Sequence, residues 1–453
     1  MNLRKAVLAL SSRSTIHQTR SRRGCRLFSS LVLADRLQGL DRPTVWHEFS
    51  PLAAQHQAIN LGQGYPEEDP PAFVQNAMHA AVYQRNANQY ARSAAHMPLA
   101  HVLADDYNSK LQRTDIVAET HIATAVGCTH ALYCALMGLI QARDEVILLE
   151  PAFDIYSSQV QMAGGKAVYV PLRPSSDASG ASDYFQLDLE EFERAITPQT
   201  KAFILNTPHN PTGKIFSQTE LEGIAEIVRK HPRITVIADE VYEYLVFDKT
   251  KEPHVPMASL LWDQTLTLSS AGKTFSCTGW KVGWAVGPPH LVQAVTAVQQ
   301  WVTFSAPTVN QDAIAQALVQ ARQPYQGLPS YYDYLADDYH QKQQLLVEAL
   351  QAAGMTPIVP AGGFFIMADT SAIEFPYPSM EKTPAMPVTP MPRDWALSRW
   401  MTQTVGVTAI PPSAFYSPEN VPLAQNLLRF AYCKNAETLQ EAHRRFAAYF
   451  QNQ

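Results

Sequence analysis

A lysine set between small residues is the first feature of this chain that could do chemistry. The stretch "LTLSSAGKTFSCTGWKVGWAVG" places Lys273 in a Gly-Lys-Thr sequence directly after an apolar, β-branched run. A nucleotide-binding P-loop also ends in Gly-Lys-Thr, but it requires a glycine five positions before the Gly-Lys. Here that position is Thr267. The spacing therefore disfavours a nucleotide phosphate site, and the chemistry of Lys273 has to be inferred from the rest of the chain.

Two other glycine-containing stretches fail the same kind of test. In "NTPHNPTGK" the Gly-Lys is followed by Ile215, where a P-loop has the Ser or Thr that binds magnesium. In "INLGQGYPEED" Glu67 stands where the dinucleotide fingerprint GxGxxG has its third glycine. Neither nucleotide motif is complete, so the chemistry has to be sought elsewhere.

Polar and aromatic side chains follow the apolar β-rich runs that begin near residues 145, 201, 234 and 266. They are Phe153, Asn206, Asn210, Asp239, Tyr242, Ser270 and Lys273. In parallel α/β sheets, ligands bind beyond the carboxyl ends of the strands. The sequence therefore predicts a ligand site built from these residues.

The elements that must position them alternate between strand and helix. Continuous apolar runs predict strands buried on both faces, and the pair Ser217 and Glu220 predicts a capping box at a helix start. We expect an α/β fold with a mostly parallel sheet flanked by helices, followed by a smaller α+β domain. The predicted divisions are a transit peptide at 1–34, an N-terminal arm joining the small domain at 42–74, a large domain at 75–324 and a small domain at 325–453.

Composition excludes several classes of protein. Hydrophobic residues make up 46% and charged residues 17% of 453, typical of an ordinary globular protein. Residues 1–34 hold seven Lys or Arg and no Asp or Glu, which leaves 28 basic and 41 acidic residues beyond them. Such an acidic body disfavours nucleic-acid partners. The longest apolar run, from Thr124, is too short to span a membrane, so no membrane association is expected.

The first 34 residues are Arg-rich, Ser-rich and free of acids, which is typical of an organelle transit peptide. The stretch "RLFSS" resembles a mitochondrial processing site with cleavage after Phe28. We expect a mitochondrial matrix location, with a plastid or cytoplasmic location and a merely disordered basic tail as alternatives. Five cysteines without CxxC spacing fit reduced thiols.

Four motifs in a fixed order carry a family resemblance. They are "NTPHNPTGK" at 206–214, "DEVY" at 239–242, "SSAGKTFSCTGWKVGW" at 269–284 and "LLRFAYCK" at 427–434. Together they resemble the fold type I, class I/II aminotransferases, which use pyridoxal 5′-phosphate (PLP). "INLGQGYP" and "GWKVGWAVGP" are similar to the subgroup of kynurenine aminotransferases, glutamine transaminase K and cysteine-S-conjugate β-lyases.

The resemblance implies a reaction. The amino group of an L-amino acid, kynurenine, glutamine, aromatic or methionine-like, would pass to a 2-oxo acid by a ping-pong mechanism. The same site could instead perform β-elimination on a cysteine conjugate, and a non-catalytic PLP-binding protein is a further alternative. The sequence alone does not separate these three.

The resemblance also implies roles for residues around the cofactor ring. A partly desolvated Lys273 would hold the cofactor aldehyde and move the substrate proton. Asp239 would face the ring nitrogen, and the other ring contacts would be Asn210 and Tyr242 at the O3′ oxygen and Phe153 on the ring face. The adjacent Glu240 points the other way along a strand and is expected to be structural.

The remaining roles concern the phosphate and the substrate. Phosphate would be bound by Cys128 and Thr129 at a helix start, with Ser270 and Lys281. Tyr90 matches a tyrosine that enters from the neighbouring subunit in relatives, so a homodimer is implied.

Arg429, in the apolar "LLRFAYC", would bind the substrate α-carboxylate, because a buried arginine needs an anionic partner. A salt bridge to another acid of the chain is the alternative. By resemblance, Gly64, Trp46 and Asn210 would also line the substrate pocket, and no metal site is expected.

Overall fold

The computed structural model describes residues 33–175, 178, 180–378 and 380–451. The predicted transit peptide lies almost wholly outside these residues. The helices are α1 Val45–Gln55, α2 Ala72–Val82, α3 Met97–Lys110, α4 Cys128–Leu139, α5 Ile155–Met162, α6 Ala181–Tyr184, α7 Leu189–Arg194, α8 Gln218–Arg229, α9 Met257–Leu260, α10 Ala271–Thr274, α11 Pro289–Val302, α12 Thr308–Ala321, α13 Tyr331–Ala352, α14 Arg393–Trp400 and α15 Ala436–Phe450. The strands are β1 Ile59–Asn60, β2 Ile122–Val126, β3 Glu145–Glu150, β4 Lys166–Pro171, β5 Arg173–Pro174, β6 Phe185–Gln186, β7 Thr200–Asn206, β8 Thr235–Asp239, β9 Thr265–Ser270, β10 Val282–Val286, β11 Thr356–Ile358, β12 Phe365–Asp369, β13 Val407–Thr408 and β14 Leu427–Ala431.

A seven-stranded sheet in the order β2-β10-β9-β8-β7-β3-β4 forms the centre of the larger unit. Strands β4, β3, β7, β8 and β9 are mutually parallel, whereas β10 runs antiparallel to both of its neighbours. The four predicted strands correspond to β3, β7, β8 and β9, and the predicted α/β class with a mostly parallel sheet is confirmed. Strand β10 was not predicted, because the residues before it were interpreted as a loop around Lys273 and only the short helix α10 separates it from β9.

Burial on both faces explains the continuous apolar runs. In β8, Val236 and Ala238 belong to one core cluster, and Ile237 belongs to the cluster on the opposite face. Helix α8 covers the first face with side chains such as Leu221. Its start is the predicted capping box, in which the Ser217 hydroxyl accepts the Glu220 amide and the Glu220 carboxylate accepts the Ser217 amide.

A second sheet, in the order β11-β12-β14, packs with α13 and α15 in the C-terminal part of the chain. Strand β1 pairs in parallel with β13, which joins the N-terminal arm to this smaller unit. The predicted domain boundaries stay predictions, although this pairing agrees with placing the arm beside the C-terminal segment. Among the described residues we find no helix with the length and apolar character that a bilayer crossing requires.

Candidate active site

A cavity of about 510 Å³ opens where the parallel strands of the large sheet end. It collects residues from both ends of the chain as well as from the strand termini. Its lining includes the predicted residues Trp46, Gly64, Cys128, Thr129, Phe153, Asn210, Asp239, Tyr242, Ser270, Lys273, Lys281 and Arg429. Residues distant in sequence thus meet at one place, as the predicted roles require.

Lys273 lies in the short helix α10, immediately after β9. Its Nζ donates a hydrogen bond to the carbonyl oxygen of Gly64 at 2.6 Å and lies 5.2 Å from the centre of the Phe364 ring. Burial is the main cause that lowers the pKa of Lys273 to about 8, and nearby Arg429 lowers it further. This amine can therefore lose its proton near neutral pH and act as a nucleophile or base.

Asp239 is the last residue of β8, and its carboxylate is buried. The Tyr156 hydroxyl donates to Oδ2 at 2.7 Å, the Val241 amide donates to Oδ1 at 3.3 Å, and the Cys128 thiol lies 3.6 Å from Oδ1. Burial raises the pKa of Asp239, and the hydrogen bond from Tyr156 opposes that shift. We find no ion pair to this carboxylate within the described ranges. The contact with Tyr156 was missed at the sequence level.

Glycines form a concave anion cradle at the start of α4. Gly127 has a φ of +83°, and a Cβ added there would lie 3.1 Å from the Nζ of Lys281. A Cβ on Gly283 would lie 2.3 Å from the carbonyl carbon of Gly127. Free amides of the α4 N-terminus, the adjacent cation and the polar Ser270 together suit a phosphate group.

Arg429 lies in β14 and is almost completely buried. Its guanidinium donates to the Asn210 side-chain oxygen at 3.1 Å and to the Gly62 carbonyl at 2.7 Å. The rings of Phe365 and Phe415 lie 4.2 and 5.0 Å from the guanidinium carbon. Burial lowers the pKa of Arg429 to about 10, and its Nε is buried without a hydrogen-bond partner.

This arginine has no salt bridge to a carboxylate in the part of the chain that the structure describes. The structure therefore does not support the alternative that Arg429 forms a salt bridge with another acid of the chain. A buried guanidinium with an unused N–H group and no ion pair within the described residues is instead suited to an anionic ligand.

Trp46, in the first turn of α1, brings the N-terminal arm into the site. Its indole N–H donates to the Asp154 carboxylate at 2.8 Å, and its ring lies 5.3 Å from the Arg429 guanidinium. Asp154 and Phe415 were not predicted. Asp154 follows the strand-end residue Phe153, whereas Phe415 lies in a turn with no recognisable signal.

Asn210 and Tyr242 lie in loops that follow strands β7 and β8. Asn206 accepts the Asn210 amide at 2.7 Å and donates to the Asp239 carbonyl at 2.8 Å. Tyr242 is buried edge-on against Phe364 at 5.0 Å. The strand-end loops are thus tied to one another by hydrogen bonds and ring contacts.

Tyr90 is the one predicted site residue that lies outside the cavity lining. It is 85% exposed and packs edge-on against Phe304 at 5.2 Å. This position does not conflict with the prediction, because that prediction assigned Tyr90 to the neighbouring subunit's site. The Glu240 side chain accepts the Met257 amide at 3.0 Å, as expected of a structural residue.

Comparison with known proteins assigns the chain to a family. The profile of the family "Aminotransferase class I and II" matches residues 56–446. The chain belongs to the class I and II aminotransferases. Members of this family depend on PLP, and we conclude that the chain is an amino acid aminotransferase. The comparisons do not favour the β-lyase or the non-catalytic alternative.

Individual relatives of this aminotransferase support the family assignment. Kynurenine–oxoglutarate transaminase of Dictyostelium discoideum is 43% identical over 411 residues, covering 88% of this chain and 93% of the relative. The structure of Bna3p from Saccharomyces cerevisiae matches with a TM-score of 0.85 and 32% identity, covering 92% and 98% of the two chains. YbdL of Escherichia coli, with a methionine aminotransferase function, has a TM-score of 0.80 at 31% identity, covering 92% and 100%.

Proposed function

We propose that the cavity binds PLP, with Lys273 holding its aldehyde carbon covalently. Three observations support the fit. The amine of Lys273 is buried with a lowered pKa, Asp239 is a buried carboxylate without an ion pair among the described residues, and the glycine cradle at Gly127 lies beside Lys281. Asn210 and Tyr242 would contact the ring oxygen and Phe153 the ring face, while Ser270, Thr129 and Cys128 would complete the phosphate site.

The bound cofactor would supply an electron sink for the bonding pair of the substrate Cα–H bond. The residues of the chain provide the rest. Asp239 favours a proton on the ring nitrogen, because an anion facing that atom stabilises its positive charge. Lys273, once free, would move the proton from the substrate Cα to the C4′ carbon of the cofactor, and would move it in the opposite direction in the second half-reaction. Tyr242 would donate a hydrogen bond to the O3′ oxygen of the cofactor.

Arg429 binds the α-carboxylate shared by the amino acid donor and the 2-oxo acid acceptor. One carboxylate site for both substrates is consistent with ping-pong kinetics, in which the donor's product leaves before the acceptor binds. The single observation that carries this proposal is the convergence of Lys273, Asp239 and Arg429 on one cavity.

We propose kynurenine, glutamine, aromatic and methionine-like L-amino acids as donors. The cavity wall near Gly64 and Arg429 is aromatic, since Trp46 and Phe365 line it and both pack against the Arg429 guanidinium. Such a wall favours large, uncharged side chains. The names of the kynurenine and methionine aminotransferase relatives support the same donors.

An absorbance spectrum of the purified chain tests this function. Added PLP is expected to give a visible band that shifts to the near ultraviolet with particular amino acids in the absence of any oxo acid. The donors that shift the band identify the substrate class directly. The absence of a visible band after adding PLP would refute PLP binding. A band that no amino acid shifts would refute transamination.

We also propose a homodimer in which Tyr90 enters the partner's cavity. The support is a set of exposed aromatic residues, Tyr83, Tyr90, Trp301 and Phe304, each at least half exposed, of which Tyr90 and Phe304 are in ring contact. Trp301→Glu should shift the sedimentation coefficient to that of a monomer. The comparison change Tyr65→Glu, at an exposed aromatic residue that contacts Lys434, should leave the dimer intact.

For residues 1–34 we propose a mitochondrial targeting role on their composition alone. A fluorescent protein fused after Leu33 should accumulate in mitochondria, and replacing the seven Lys and Arg residues by Gln should abolish that accumulation. Diffuse fluorescence of the unaltered fusion would favour the cytoplasmic alternative, and plastid fluorescence the plastid one.

A further inference from the structure

Asp239 accepts a hydrogen bond from Tyr156, a residue to which the proposed reaction assigns no role. The Tyr156 hydroxyl, from α5, donates to Oδ2 at 2.7 Å and has no other hydrogen-bond partner in the described residues. Both side chains are buried, although both also line the cavity. The ring of Tyr156 is also fixed, because it packs edge-on against Phe153 at 5.8 Å.

The surroundings of Asp239 make this donor important. The carboxylate makes no salt bridge in the described ranges, and hydrogen bonds are its direct stabilisation as an anion. Burial raises the pKa of Asp239 and the Tyr156 hydrogen bond is the largest influence that lowers it. The titratable groups that interact electrostatically with Asp239 are Cys128, Tyr156, Tyr242 and Lys273 in the cavity and Glu240 on the opposite side of the strand.

We propose that Tyr156 is a positioning residue that keeps Asp239 a fixed anion, so that a proton on the cofactor ring nitrogen has an ionic partner. This inference rests on the proposed PLP function. Without the hydroxyl, Asp239 becomes the stronger base of the pair. The shared proton then moves from the ring nitrogen to the carboxylate, and no atom or electron is gained or lost overall.

The ring nitrogen itself reports the position of that proton. We would bind PLP labelled with ¹⁵N in the ring and record its resonance between pH 6 and 8. The wild-type resonance is expected to stay at the protonated position, and Tyr156→Phe should shift it towards the neutral position. Tyr432→Phe is the matched control, because this buried hydroxyl donates to the neutral Gly363 carbonyl at 3.0 Å. An unshifted resonance in Tyr156→Phe overturns the inference.

The cofactor-free chain gives an independent readout. A carboxyl group whose pKa is raised on folding destabilises the fold increasingly as pH rises through that pKa. Removing the Tyr156 hydroxyl raises the pKa of Asp239 further. The extra loss of stability in Tyr156→Phe should therefore be larger at pH 8 than at pH 4.

Urea unfolding at both pH values measures this growth. For Tyr432→Phe the loss should be the same at both pH values, because its acceptor does not titrate. A loss that is also independent of pH in Tyr156→Phe would contradict the inference. Failure of the proposed function and failure of the inference about Tyr156 can be distinguished. A wild-type chain that does not retain labelled PLP refutes the proposed function, and the urea comparison still tests the role of Tyr156.

Discussion

The two ends of the cavity each bury one charge, but they stabilise it with different groups. At the end of β8, the Asp239 carboxylate accepts hydrogen bonds from Tyr156 and the Val241 amide. In β14, the Arg429 guanidinium donates to oxygen atoms and is surrounded by aromatic rings. Neither group has an ion pair among the described residues. The Asp239 end therefore lacks a cationic partner, and the Arg429 end lacks an anionic partner.

The two ends of the cavity also differ in the structural elements that form them. The Asp239 end follows from consecutive strands of one sheet, whose carboxyl ends are adjacent by topology. The Arg429 end needs the N-terminal arm with Trp46, the β12 residue Phe365 and the turn that carries Phe415. Substitutions at the first end should act locally, whereas the second depends on how the smaller unit packs.

Lys273 is influenced by both ends, and removing it should have the largest effect. Lys273→Ala should lower turnover by at least about a thousandfold, because covalent attachment and proton transfer are both lost. Lys273→Arg should not recover activity, since arginine does not present a free amine. Steady-state kinetics and the visible spectrum measure both variants. Substantial activity in either would refute the assigned role.

Asp239→Asn removes the charge from the first end. We expect a loss of turnover of roughly a hundredfold, since the ring nitrogen loses its ionic partner. Urea unfolding should show a largely intact fold, because burial already disfavours the charged carboxylate. Glu240→Gln is the neighbouring control and should retain turnover. Equal losses in the two variants would contradict the distinct role of Asp239.

Arg429→Lys alters the second end while keeping its charge. The guanidinium makes two directed hydrogen bonds that an ammonium group does not reproduce. Losing a charge-assisted bidentate contact should raise KM by about 10- to 100-fold, with a smaller change in kcat. Arg393→Lys, at an arginine bonded to Thr370 in the smaller unit, is the control. An unchanged KM for every donor in Arg429→Lys would refute carboxylate binding there.

The same contrast explains what the sequence could predict. Apolar runs marked β3, β7, β8 and β9, and the polar residues after them identified Asn210, Asp239, Ser270 and Lys273, because strand ends in a parallel sheet coincide in space. Tyr156 was missed because it lies in a helix turn whose direction depends on tertiary packing. Phe415 was missed for a similar reason, since no local pattern brings a turn of the smaller unit over Arg429.

The smallest expected effects concern the pH at which Lys273 loses its proton. The free amine captures the aldehyde, so the rate at which the cofactor-free chain develops the visible band with PLP should rise up to about pH 8 and then level off. Between pH 6 and 7 this rise should be about tenfold. The pKa of Lys273 is raised by Asp239 and lowered by Arg429.

The pH midpoint of this rise reports the pKa of Lys273. Substitutions at Asp239 and at Arg429 should therefore shift that midpoint in opposite directions. Asp239→Asn removes a neighbouring anion and should move it to lower pH, whereas Arg429→Met removes a cation and should move it to higher pH. Each shift should be less than about one unit, because neither charge contacts the amine directly. Stopped-flow absorbance between pH 6 and 9 measures both midpoints. Shifts in the same direction would mean that altered packing, rather than charge, governs the ionisation of Lys273.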